Sequence, residues 1–196
     1  MKKLFIIILA VLLCSCGNKH IDPNEAIDSL KNLDSYQVDI KLQIFNSKEI
    51  IVHNLREYSI KDKGYRFDID GLYNLVYAND KVTKKDIKTG RISNEDDDFE
   101  NFYCYSSLQR YIQLLYTDEN IKISTEKISN KDCQVIQLIL PGQNRSVASA
   151  KLYIDKKNTI PLGISIFDDK GKERIKIEYS NFMPEADIKD KIMNIS

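Results

Sequence analysis

The stretch Tyr36-Gln37-Val38-Asp39-Ile40-Lys41-Leu42-Gln43-Ile44 decides the fold. Apolar and polar residues alternate along it without a break, and a period of two places one set on a dry face and the other on a wet one only if the backbone is extended. It is therefore predicted to be a half-buried antiparallel strand.

Downstream, the same pattern returns between turn signals. Ile50 to Ile60 precedes Asp62-Lys63-Gly64, then come Tyr65-Phe67-Ile69, Leu72 to Tyr77 before Asn79-Asp80, and Val82 to Ile87 before Lys88-Thr89-Gly90. Strand residues separated by short Gly, Asn and Asp clusters predict a meander of four or five strands. Leu108, Tyr111, Ile112 and Leu115 break that period and fall at helical spacing, behind the acidic stretch Asn94 to Asp98. Strands resume at Ile121 to Ile128, Gln134 to Leu140, Ala148 to Ile154, Leu162 to Phe167 and Ile175 to Tyr179. The fold class this predicts is α+β and mainly antiparallel β. A long curved sheet forms an open or half-closed barrel, with a central helix across its concave face.

Upstream, Asp22-Pro23 reads as an N-cap followed by proline at the first helical position, and Ala26, Leu30 and Leu33 lie on one side of a short N-terminal helix. Before it, Met1-Lys2-Lys3 and the apolar run Leu4 to Leu13 lead into Cys14-Ser15-Cys16-Gly17, the layout of an export signal whose core is too short to span a membrane. Leu13, Cys14 and Ser15 directly before Cys16 form a lipobox. The expectation is a signal peptide over residues 1–15, diacylglyceryl modification of Cys16, a lipidated tether over 16–21 and one domain over 22–196. Because each buried methylene contributes about 0.8 kcal/mol, two acyl chains hold a protein stably on the outer face of a membrane.

The chain carries 29 basic and 29 acidic residues, and loss of Lys2 and Lys3 with the signal leaves a mature charge of about minus two. Nothing in that balance suggests a nucleic acid partner. Of the four cysteines, Cys104 and Cys133 remain after Cys14 is removed and Cys16 acylated. They form either a disulfide or two buried thiols, and the thiols are the preferred reading.

Catalytic chemistry finds no footing. His20 sits in the tether and His53 inside a strand, neither within a motif, and no nucleophile has a neighbouring base. Cys104 and Cys133 lack the clustered company zinc requires, and Glu95-Asp96-Asp97-Asp98 lacks the ligand spacing of a calcium loop, so no metal or cofactor is expected. The aromatic group Phe99, Phe102, Tyr103, Tyr105, Tyr111 and Tyr116 admits two readings, a filled core under the sheet or a groove for an acyl chain or a partner.

One resemblance rests on particular residues. Leu152-Tyr153-Ile154-Asp155, then Ile160-Pro161-Leu162, Asp169-Lys170-Gly171, Ile175 to Tyr179 and Ser180-Asn181-Phe182 resemble the C-terminal strands of LolA-type lipoprotein carriers, and Ser35-Tyr36 after a helix resembles their N-terminus. The likeness spans Asp22 to Asp187 and implies a LolA-like domain. Those carriers are soluble shuttles, whereas a lipobox tethers this chain.

Among lipid-anchored proteins of this kind it is similar to the clostridial germination lipoproteins, the GerS family. That resemblance implies a non-enzymatic role in spore germination: binding and activating an N-acetylmuramoyl-L-alanine amidase of the CwlD type for muramic-lactam formation in cortex peptidoglycan, in the space between the forespore membranes. It marks no partner-binding residue. A lipid or lipoprotein acceptor with an apolar concavity is the alternative, and an exposed strand edge would allow a homodimer by strand exchange.

Overall fold

The computed structural model describes residues 23–79, 81–95, 102–117, 121–128, 130–142 and 144–195. An N-terminal helix, α1 (Pro23–Lys31), leads into β1 (Ser35–Phe45), β2 (Ile50–Ile60), β3 (Gly64–Ile69), β4 (Tyr73–Ala78), β5 (Lys81–Asp86) and β6 (Ile92–Glu95). A 3₁₀ segment, Phe102–Ser106, and α2 (Leu108–Thr117) separate these from β7 (Lys122–Ile128), β8 (Lys131–Ile139), β9 (Ser149–Asp155), β10 (Pro161–Phe167) and β11 (Glu173–Pro184). α1 begins at the proline the sequence marks; its expected cap, Asp22, lies outside the described residues.

All eleven strands belong to one sheet, in the order β6-β5-β4-β3-β2-β1-β11-β10-β9-β8-β7, and every pair is antiparallel. Among the described residues β6 and β7 end the sheet without pairing to each other, so the sheet is open and not a closed barrel. Two meanders are joined at their middle, where β1 pairs with β11. The N-terminal meander has six strands, not four or five. Ile92-Ser93-Asn94-Glu95 gives β6 a single apolar residue, too little alternation to read as a strand.

Register sorts the side chains as the alternation predicts. Across the sheet, Tyr179, Ile40, Leu55, Ile69 and Tyr73 form one row, and Ile164, Ile177, Leu42 and His53 form the next. These rows make the inner face, which α1 covers with Ala26, Ile27 and Leu30, and α2 with Leu108, Tyr111, Ile112 and Leu115. Each leucine or isoleucine among them contributes about 1.5–3 kcal/mol over its exposed state. Leu33 falls beyond the end of α1 yet packs, partly buried, against the same core.

Residues 190–195 clasp the opposite face. Lys63 Nζ bonds Asp190 at 2.7 Å, Arg66 Nη1 donates to the Ile192 carbonyl (3.0 Å) and Lys85 Nζ to the Ile195 carbonyl (3.1 Å). Ile195 and Val76 are buried there.

Candidate functional site

The row Val38, Glu57, Phe67 and Leu75 sets a carboxylate among three buried apolar side chains on the inner face, directly beneath the start of α2. Glu57 has no exposed surface. Tyr36 Oη (2.9 Å) and Ser107 Oγ (2.5 Å) both donate to its Oε1, and the Leu108 backbone N–H donates to Oε2 at 3.3 Å. The helix thus begins with one of its orphan N–H groups satisfied by a side chain from the sheet, which joins the two layers through a polar contact. Burial is the largest influence on this carboxyl and pushes its pKa up to about 7, while the bonds from Ser107, Tyr36 and Leu108 pull it down without cancelling that effect.

Tyrosine hydroxyls complete the attachment. Tyr179 Oη donates to the Ser106 carbonyl (2.9 Å), Tyr111 Oη to the Tyr105 carbonyl (3.0 Å) and Ser106 Oγ to the Tyr103 carbonyl (2.6 Å). Burial holds the Tyr36, Tyr111 and Tyr179 phenols above their ordinary pKa. The 3₁₀ segment can be buried over Cys104 to Ser106 because carbonyls left open at its end find these partners.

Sequence reasoning gave Glu57 no role, though a signal was present: it lies in phase with Leu55, on the inner side of β2. His53 is on that face too. Its Nδ1 lies 2.6 Å from Asp70 Oδ2, and its ring meets Tyr103 edge to face with centroids 5.2 Å apart. Asp70 Oδ1 also accepts the Asn54 N–H at 2.8 Å, so the pair ties the Asp70-Gly71 turn back onto β2. Cys104 and Cys133 form no disulfide and are buried thiols, the preferred of the two readings.

The aromatic group divides. Tyr105 and Tyr111 belong to the core, Tyr103 packs partly buried against it, Phe102 and Tyr116 are exposed, and Phe99 lies outside the described residues. The residues behind the carrier resemblance are structural. Leu152 and Ile154 are fully buried, and Asp155 closes the β9–β10 turn by accepting the Lys157 N–H at 2.8 Å. Asp168 does the same for the next turn, accepting from the Lys170 and Lys172 N–H groups and from Arg174 Nε. Cys16 and the lipobox Leu13, Cys14 and Ser15 lie outside the described residues, as do Asp96 to Asp98.

Two surfaces are open. At the far end of the β1–β2 hairpin the alternation lapses and Ile50, Ile51 and Val52 are all exposed. A notch of about 280 Å³ beside that end is lined by Ile44, Phe45, Phe102, Val147, Arg174 and Ile175 among others. On the outer face, a polar groove of about 540 Å³ runs past Asp39, Lys41, Asn54, Arg56, Asp68 and Ser180. The Asp39–Arg56 ion pair and a bond from Asn181 occupy part of it. Among the described residues no group of three or more His, Cys, Asp or Glu side chains converges as metal ligands.

A family model described as sporulation protein YdcC-like matches residues 1–193. No curated protein matches the chain in sequence. Several solved structures share its fold. An uncharacterized conserved protein from Thermus thermophilus is 12% identical with a TM-score of 0.56, the match covering 87% of this chain and 90% of that one. A candidate outer membrane lipoprotein-sorting protein domain from Vibrio parahaemolyticus is 11% identical with a TM-score of 0.52, covering 88% and 94%. A chain from the CwlD amidase of Clostridioides difficile in complex with the GerS lipoprotein is 17% identical with a TM-score of 0.50, covering 85% and 96%. At these identities the likeness establishes the fold, an open antiparallel sheet shared with the lipoprotein-sorting protein domain.

Proposed function

The chain belongs to the family of YdcC-like sporulation proteins, and from that membership we propose that it is a non-enzymatic, membrane-anchored binding partner and activator of a CwlD-type N-acetylmuramoyl-L-alanine amidase. The observation that carries this reading is a fold shared with a solved amidase–lipoprotein complex, in a chain assigned independently to sporulation. On this reading Cys16 carries the lipid, the domain faces the space between the forespore membranes, and its effect is exerted through the amidase during muramic-lactam formation in the cortex. The role is the counterpart of the one that GerS resemblance implies.

The apolar hairpin end and the outer edges of β6 and β7 offer contact surfaces of the kind partners use. An acyl-chain acceptor, the alternative suggested by the lipoprotein-sorting fold, is less well supported. The inner face is filled by Leu108, Tyr111, Ile112 and Leu115, so lipid would have to displace α2.

The test is co-purification of residues 17–196 with the host's cortex amidase, followed by assay of that amidase on peptidoglycan alone and in complex. A stable complex with raised amidase activity is expected. Failure to form a complex, with acyl lipid recovered from the domain, would overturn the reading in favour of the acceptor.

A further inference from the structure

We propose that Glu57 is a proton-operated latch for α2, holding the helix on the sheet while its carboxyl is protonated and loosening it when the carboxyl ionises. The geometry supplies the reason. Glu57 belongs to the sheet, but two of its three hydrogen bonds come from Ser107 and Leu108, at the very start of the helix, and the helix is what shields it from water. Undocking α2 hydrates the carboxyl. Docking buries it in a row whose other members are Val38, Phe67 and Leu75.

Groups facing the latch from each neighbouring element leave it in control. β1 presents Tyr36, β11 Tyr179, β3 Tyr65 and α2 Tyr111, and burial raises all four phenols above their ordinary value, so none ionises before Glu57. Arg110, on the same turn of α2, is committed elsewhere: it lies over the Tyr105 ring at 5.0 Å and donates to Cys104 Sγ at 3.4 Å. Along β2, His53 shares the inner face but is held by Asp70 beyond Leu55.

The sign follows from linkage. The docked carboxyl has its pKa raised to about 7 from an ordinary 4.5, so docking is strongest below pH 4.5 and weakens as pH rises through 7. Between those limits the open fraction grows about tenfold per pH unit, and above about 7 it levels off. The lid is therefore tight in acid and loosened at neutral to mildly alkaline pH.

The measurement is deuterium uptake by the full lipoprotein in detergent, read by mass spectrometry from pH 5 to 8.5 and corrected for intrinsic exchange. Peptides from α2 should lose protection about tenfold per pH unit and plateau above 7, while peptides from β1 and β11 keep theirs. Glu57→Gln should make α2 protection independent of pH. Tyr36→Phe, which deletes one donor to the carboxylate, should move the plateau to higher pH and covers the case in which Glu57→Gln fails to fold. Protection of α2 that ignores pH in the wild type, or falls equally in Glu57→Gln, would overturn the proposal. So would a loss in step with the β1 and β11 peptides, which would mean global unfolding rather than release of a lid.

Discussion

Gly163 stands where β10 and β11 approach more closely than any side chain permits. A Cβ at this position would lie 2.2 Å from the Ile177 carbonyl oxygen, which is backbone and has no freedom to retreat. Gly163→Ala is accordingly expected to cost about 2–3 kcal/mol, the upper part of the range for overpacking. Gly171, a turn residue with φ +77° and open space around it, is expected to cost about 1 kcal/mol when changed to alanine, from backbone conformation alone. Urea unfolding of both variants checks this, and an equal loss in the two would refute the crowding argument. Single residues were legible in the sequence when their role was local. Asp155 and Asp168 directly follow strands that the alternation marks, whereas Glu57 draws its role from Ser107, fifty positions away.

At the scale of elements, β7 is an edge strand with most of its residues exposed, Ile123 among them. Unpaired backbone N–H and C=O groups along such an edge invite another strand, and Lys122 and Lys127 near its ends act against that. Changing both lysines to valine is expected to drive self-association, seen in sedimentation velocity as species larger than those of the unmodified protein. Unchanged sedimentation would remove β7 as the route to a strand-exchanged dimer. The existence and facing of most elements could be read from the sequence, because alternation in Tyr36 to Ile44 and helical spacing in Leu108 to Leu115 are properties of the segments themselves. Partner order could not. Alternation says which side chains are inside but not which strand lies alongside, so the β1–β11 junction emerged only from the register.

For the whole molecule, the decisive expectation concerns where it is held. On the reading that Cys16 is acylated, Cys16→Ala is expected to leave the domain folded, move it from the membrane to the soluble fraction and abolish labelling with palmitate. A membrane-bound, labelled Cys16→Ala protein would show that another segment supplies the anchor. The pairing of β1 with β11 bears on something different, the order of events during synthesis. A chain made from its N-terminus presents Ser35–Phe45 well before the neighbour that completes the middle of the sheet, Glu173–Pro184, has been synthesised. Until then the inner rows of β1 lack one flank, and contacts between such distant segments form slowly. The newborn chain therefore carries β1 with one edge unpaired, and open to other strands, until β11 has left the ribosome.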